Sequence, residues 1–333
     1  MKPLLLKPST LVTVLIVLTA FAQGCKTKEP GFWKNDQIPA DYTHEFRELN
    51  QQLIAAMKAD DKQTLENMLS KELLDNPGTK REIELVANRF KADSTYAIMN
   101  EFFVVNKYND RDTLVANSDG INAYRLIYPA YAEEMYVALF TPKNGPNKEV
   151  ITIVYANYQY GWRLSTVDVA PYIINNKTAP QLYEHAKNSY SKGQTVEALN
   201  TLALAVNCLH PSRFWEYKYE KQLTEIYYQV GNDANKQYPF PYTIKAVVTQ
   251  PKIFGMFTKT TSEGSFPQIC YQSQIDLKDT IALKAENLAI RKALPTIMPG
   301  VDQYKDYVYY SAYNERPSVK SRVKFFEMVH KLK

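Results

Sequence analysis

Between positions 96 and 169 the chain passes through five runs rich in β-branched and aromatic residues, at 96–105, 124–128, 135–140, 150–158 and 162–169. Turn formers separate them, among them Asn117-Ser118-Asp119-Gly120 and Asn144-Gly145-Pro146. Only Gln159-Tyr160-Gly161 stands between the last two runs, which fits a hairpin. The preceding stretch has a different period. From a start near Asp41, Phe46, Leu49, Leu53, Ile54 and Met57 recur at helical spacing. Asp60-Asp61 offers a cap for a second short helix carrying Leu65, Met68, Leu69 and Leu73. After Asn76-Pro77-Gly78 a third helix is expected from Lys80 to Phe90, with Ile83, Val86 and Phe90 on one face. Two or three helices followed by a curled antiparallel sheet predict an α+β fold.

Two segments of this stretch carry a resemblance. The first helix ends in Ala55-Ala56-Met57-Lys58-Ala59-Asp60-Asp61, and the closing hairpin holds Gly161-Trp162-Arg163-Leu164. Over residues 40–172 the chain resembles the NTF2-like α+β cone family, which includes small secreted members of unknown function. The resemblance implies helices laid on a curved sheet, with the tryptophan packed against them. In enzymes of that fold an Asp and a His or Tyr line the cone pocket. Asp168 falls on the closing strand and is the candidate for that position, facing inward. No histidine lies between His44 and His185, so the usual acid–base partner is missing from most of the domain. A hydrogen-bonded aspartate on the sheet is the simpler reading of Asp168.

Residues 178–235 return to helical spacing. Leu182, Ala186, Gly193, Ala198, Leu202 and Ala205 follow an alternation of small and large residues that resembles a single tetratricopeptide-like helical hairpin. Pro211 lies one position late for the closing proline, and Leu202 stands where an aromatic is usual. One copy is visible, and helical repeats need neighbours to bury a continuous core. A hairpin packed on the rest of the chain is expected, rather than a peptide-binding array. An aromatic-rich helix is predicted over 214–230. Residues 240–333 then read as a small α+β domain of no recognised family. Its predicted strands are 242–249, 253–259, 269–277 and 307–313, with a helix over 280–294. A final strand or short helix follows Ser318. The predicted domains are 38–175, 178–235 and 240–333.

The amino terminus bears on location. Lys2 and Lys7 precede an apolar run from position 11 to 22, broken only by Thr13 and Thr19. A run of about a dozen residues is too short to span a bilayer, which takes roughly 20, and suits a secretory leader. Ala22-Gln23-Gly24-Cys25 follows and resembles the lipobox of a bacterial lipoprotein, although Ala22 and Gln23 depart from its usual pattern. The resemblance implies a signal peptide over 1–24, cleavage before Cys25, and acylation of Cys25 as a membrane anchor. Residues 25–37 would be the lipidated cysteine and a polar tether. Lys26, rather than an aspartate, follows the cysteine, which under the lipoprotein sorting rule implies the outer membrane, facing the periplasm or the exterior.

Little catalytic chemistry is legible. A formal net charge of +5 over 333 residues is too mild to argue for nucleic acid. His44, His185, His210 and His330 are too dispersed for a metal pair, and no His-Glu-x-x-His, nucleophile elbow or phosphate loop occurs. Asp110-Arg111-Asp112 opens like a calcium loop, but Leu114 occupies a ligand position. No cofactor or metal is expected. Cys208 and Cys270 remain, as two buried thiols or a disulfide. Tyr307, Tyr309 and Tyr313 share one face of a predicted strand, with Tyr310 on the other. Such a face stacks on sugar rings if exposed, or fills a core. The expected partners are membrane lipid through Cys25 and an envelope protein or glycan. The expected role is non-catalytic binding or scaffolding, with a ligand or enzyme pocket in the cone as the alternative.

Overall fold

The computed structural model describes residues 29–107, 110–303, 305–318 and 323–332. The leader and Cys25 lie outside the described residues.

Helix α1, Ala40–Ala59, buries Phe46, Leu53, Ala56 and Met57 along one stripe and ends where Asp60 turns left-handed at φ 53. Asp61 caps α2, Lys62–Met68, by accepting from the Thr64 backbone N–H at 3.1 Å. Ser70 caps α3, Lys71–Asp75, in the same way through Leu73 at 3.3 Å. Helix α4, Thr79–Ala92, contributes Val86, Ala87 and Phe90. The single short helix expected around Leu65–Leu73 is thus two, because Leu69 leaves the helix to bridge Leu164 on the sheet.

These helices lie on a curled antiparallel sheet of six strands, in the order β1-β2-β5-β6-β7-β8. The strands are β1 Gly31–Lys34, β2 Tyr96–Val105, β5 Glu134–Pro142, β6 Lys148–Tyr158, β7 Gly161–Ile174 and β8 Lys177–Thr178. The expected tether therefore gives way at Gly31 to an edge strand paired with 102–105. Its driving contact is Trp33, which stacks on Phe103 at 5.4 Å. Phe103, Tyr136, Tyr155, Trp162 and Leu164 face the helices and form one apolar core with them.

The opposite face is buried too. Strands β3 Arg111–Asn117, β4 Tyr124–Pro129 and β9 Trp215–Tyr217 make a separate three-stranded sheet. Residues 124–128 were expected within the curled sheet. They leave it because Tyr124, Leu126 and Tyr128 pack onto its face instead. Helices α5 Ala179–Ser191, α6 Thr195–Asn207 and α7 Glu220–Gln237 complete that layer. Gly193, at φ 73, makes the turn between α5 and α6, where a Cβ would be strained. Ala186, Ala198, Leu202 and Ala205 are fully buried between the two helices and the sheet. A single apolar core runs from Phe102 to Val230, so the chain does not break into separate cores between 175 and 178. The helix predicted over 214–230 begins only at Glu220, because Trp215 and Tyr217 alternate into the core as a strand.

The last region is a five-stranded sheet, β10-β11-β12-β13-β14. Its strands are β10 Tyr242–Thr243, β11 Lys252–Thr261, β12 Gly264–Gln272, β13 Tyr307–Tyr313 and β14 Phe325–Lys331. Strands β12 and β13 are parallel, so no hairpin can join them, and α8, Thr280–Ile297, supplies the crossover. Leu283, Ile290 and Leu294 of α8 cover the inner face with Ile269, Tyr271, Val308 and Tyr310. The strand expected over 242–249 is only two residues long. Ile244, Val247 and Gln250 spend their backbone groups on turns instead.

The β11–β12 turn docks on the β7–β8 turn. Asn175 donates to the Ser265 carbonyl and accepts from its N–H, both at 2.7 Å. Gly264 permits this approach, since a Cβ there would lie 2.8 Å from Asn175 Oδ1.

Candidate functional site

The space between α1 and the curled sheet, where an enzyme pocket of the cone would sit, is filled by rings; a separate groove of about 840 Å³ lies among α1–α4, lined in part by Met57, Leu65, Leu69, Leu73 and Ile83. Phe46 stacks on Tyr136 at 3.9 Å, and Phe46, Phe103, Tyr136 and Tyr155 are all at most 2% exposed. Their polar ends are paired, as buried hydroxyls require. The Tyr136 hydroxyl accepts from Asn50 at 2.8 Å and donates to Glu101 at 2.5 Å, and Tyr155 donates to the Leu49 carbonyl at 3.2 Å. Burial pushes both phenols far above their ordinary range.

Asp168 does not point there. Val167 and Val169 pack toward the helices, so Asp168 between them projects from the opposite face. Its Oδ2 accepts from the Arg213 backbone N–H at 3.1 Å and from Arg213 Nε at 3.4 Å. Arg213 also donates to Glu82 at 2.8 Å. Asp168 therefore anchors the loop before β9, and the inward-facing ligand role is corrected.

The outer face of the C-terminal sheet is different. Strand register places Phe257 and Lys259 of β11 beside Phe266, Gln268 and Cys270 of β12. Next come Tyr307, Tyr309, Ser311 and Tyr313 of β13, then Phe325, Glu327 and Val329 of β14. None of these side chains belongs to any of the three apolar cores. Phe257 is 59% exposed, Phe325 50% and Val329 52%, which is costly in water without a partner.

The rings fall into two groups. In one, Phe266 meets Tyr307 at 5.2 Å and Tyr309 at 6.4 Å. In the other, Tyr313 meets Phe254 and Phe325, each at 5.3 Å. Between them lies a polar strip. Gln268 donates to Ser311 at 2.9 Å, and Lys259 donates to Glu327 at 2.9 Å. Lys259 also lies 5.7 Å above the Tyr309 ring, and Arg316 lies 5.5 Å from the Phe254 ring. Tyr309 is only 8% exposed, so it is a floor for the surface while Tyr307 and Tyr313 are half-buried.

Tyr307, Tyr309 and Tyr313 are thus brought to one face with neighbours that sequence reasoning missed, chiefly Phe254, Phe257, Phe325, Gln268 and Glu327. Their signal was the alternation of ring and polar residue in Phe257–Lys259, Phe266–Gln268 and Phe325–Glu327, which needs the sheet register to be read across strands.

The thiols are both free and buried. Cys208 lies in the core shared by the first sheet and the hairpin, where burial pushes its thiol up to about 12. Cys270 lies on the outer face, also shifted upward by burial. Among the described residues, no group of three or more His, Cys, Asp or Glu is placed to hold a metal ion. No described helix is long and apolar enough to cross a membrane. No protein-family model, curated protein or solved structure matches this chain.

Proposed function

We propose that this chain is a lipid-anchored, non-catalytic binding protein of the bacterial cell envelope that lays the outer face of its C-terminal sheet on glycan. The observation that carries this is two aromatic groups flanking a polar strip on one sheet face, where Phe257, Phe325 and Val329 are exposed although Phe266 and Tyr309 are buried. A saccharide offers apolar C–H faces and hydroxyl edges. Rings match the first, and the amide, carboxylate and ammonium of Gln268, Glu327 and Lys259 match the second. The rings that fill the space between α1 and the curled sheet weigh against a small-ligand or enzyme site inside the cone. The NTF2-like and tetratricopeptide-like resemblances then describe a scaffold that carries this face, not the source of an activity.

The anchor belongs to the same proposal. Acylation of Cys25 by two or more chains gives stable attachment, where one chain gives only marginal binding. The Lys26 signal favours the outer membrane.

The binding test uses the full chain in detergent, sedimented with insoluble peptidoglycan and with an unrelated insoluble polysaccharide. Retention on peptidoglycan, lost in the Tyr313→Ala/Phe325→Ala double variant, is the expected result. Truncating anchors of this kind costs about 1 kcal/mol or more each, so the double variant should lose about thirtyfold. Equal retention of both proteins, or none of either, would overturn the reading. Cys25→Ala and globomycin treatment test the anchor separately: release of the chain from the membrane fraction is expected in both.

A further inference from the structure

Between the hairpin and the C-terminal sheet lies a cleft of about 80 Å³, partly open to solvent. At roughly 10–15 Å³ per water-sized sphere, it has room for about five to eight of them. Of the polar groups around it, the two lysines only donate, while the amides, hydroxyls and imidazole can donate or accept. Lys177 comes from β8, His185 from α5, Asn200 and Thr201 from α6, Thr258 from β11 and Lys305 from the approach to β13. Glu197 is the one carboxylate on the cleft wall, and both its oxygens are engaged. Oε1 accepts from Thr201 at 3.2 Å, and Oε2 accepts from Lys305. Asn175 is spent on Ser265.

One donor is left over. Asn200 Nδ2 is buried and has no hydrogen-bond partner among the described residues. A buried donor without an acceptor costs about 1–3 kcal/mol, so such a group points to something that completes it. The surrounding field has a sign. Two lysines against one carboxylate leave the lining positive, and a concave positive lining concentrates anions. His185 reports the same field. Burial first, and then Lys177, Lys305 and Lys192, hold its imidazole below the ordinary range.

From this geometry we propose that the cleft binds a small oxyanion of about five to eight non-hydrogen atoms. A small turn of the Asn200 amide toward the cleft lets its buried Nδ2 donate to one oxygen, and Lys177 balances the charge. Inorganic phosphate and a short carboxylate such as pyruvate share the required chemistry and size. Leu182 and Leu204 form apolar walls, which suit a compact ligand. Phe257 and Phe266 are shared between the cleft wall and the aromatic face, but the anion contacts proposed here use neither ring, so neither proposal depends on the other.

The test is isothermal titration and thermal melting of the full chain in detergent, with sodium phosphate, sodium pyruvate and sodium chloride at matched ionic strength. The expected result is saturable binding of phosphate or pyruvate, with a raised melting temperature that chloride does not give. Which of the two acts identifies the source. Lys177→Gln, a surface change that leaves the fold intact, should weaken binding about tenfold, and Asn200→Leu should abolish it. No effect of either anion beyond chloride would mean that water alone fills the cleft, and would overturn the proposal. So would equal binding by wild type and both variants.

Discussion

Glu197 and Lys305 form an ion pair that ties α6 to the approach of β13, with only 6% of the Glu197 side chain and 16% of the Lys305 side chain exposed. Taking both charges out of water is costly, and the carboxylate shows it. Burial pushes Glu197 upward even though Lys305 and Thr201 pull it down. The pair is therefore a weak source of net stability but a strong constraint on how the two modules meet. Lys305→Met would leave Glu197 buried and unpaired, and should cost about 3–5 kcal/mol. Replacing both partners with apolar residues, as Glu197→Leu/Lys305→Met, should recover most of that. Urea unfolding of the three proteins decides it. A single variant no less stable than the double would refute the constraint.

His185 gives this junction a pH dependence. Its folded-state value lies below the ordinary 6.5, from burial first and then Lys177, Lys305 and Lys192. The unfolded chain therefore takes the proton first on acidification. The contribution is complete above 6.5 and is lost as pH falls toward the folded value. His330 is lowered too, chiefly by burial, and acts in the same direction. Glu197, raised from 4.5, works the other way, since the folded chain takes its proton first. The clean readout is a difference between proteins. His185→Gln should flatten the fall in stability between about pH 7 and pH 5 relative to wild type. Parallel curves would show that His185 titrates alike in both states.

In the first module the hydroxyl of Tyr136 joins Asn50 on α1 to Glu101 on β2 through bonds of 2.8 and 2.5 Å. Tyr136→Phe keeps the ring stacked on Phe46 but strands both partners. A buried polar group left without its bond costs about 1–3 kcal/mol. Phe46→Ala, by contrast, empties the centre of the core and should cost about 3–5 kcal/mol. The order of the two losses in chemical denaturation is the test. A harmless Tyr136→Phe would mean that the hydroxyl bonds contribute nothing.

Much of this architecture is legible along the chain, because periodicity is local. The helices at Ala40–Ala59, Thr79–Ala92 and Ala179–Ser191, and the strands at Tyr96–Val105 and Tyr307–Tyr313, announce themselves by where their apolar residues recur. What escapes is whatever depends on distant partners. Trp215–Tyr217 is a three-residue strand whose reason for existing is Tyr124, with ring centroids 3.6 Å apart. Arg111–Asn117 is too polar to read as a strand, since only Leu114 and Ala116 within it are buried. Asp168 was misplaced for a sharper reason. Alternation counted from Trp162 and Leu164 would face it inward, but Ser165 is an extra residue between Leu164 and Thr166, which pair with the consecutive Tyr155 and Val154, and it reverses the alternation. A slip of one residue exchanges the two faces of a strand. The tyrosines of β13 share one face by period two alone. Their company on that face comes from register with β11 and β14, which no single segment encodes.

The docked turns make a prediction of a different kind. Asn175 reaches across to Ser265 with both ends of its amide, and Asn147 supports it by accepting from the Asn175 backbone N–H at 2.9 Å. Asn175 also sits at φ 52, where Asn is tolerated better than most residues. Asn175→Ala removes the bridge and adds backbone strain. Local loosening is expected, with faster amide exchange in the β11–β12 turn and little change inside the core of α1–α4. Uniform protection would show that the turn is held by other contacts.

Gly255 offers the most selective handle on the proposed glycan face. A Cβ there would stand 2.6 Å from Cε2 and 2.9 Å from Cζ of Phe257, because the Phe257 ring lies over the glycine. No real Cβ tolerates that separation, so something must move. The obstruction is the far end of a side chain that is 59% exposed, and it can swing aside at small cost. Gly255 lies next to the irregularity between Ile253 and Gly255 in the β11–β12 register, and its φ is not left-handed, so alanine fits the backbone. Gly255→Ala should therefore fold with a melting temperature close to wild type while displacing the Phe257 ring. If Phe257 helps seat a saccharide, retention on peptidoglycan falls, and Phe257→Ala falls by a similar factor. Because the two changes act on one ring, the double variant should be no worse than either alone. Additive losses would place the effect of Gly255→Ala elsewhere. Undiminished retention in all three would remove Phe257 from the contact surface.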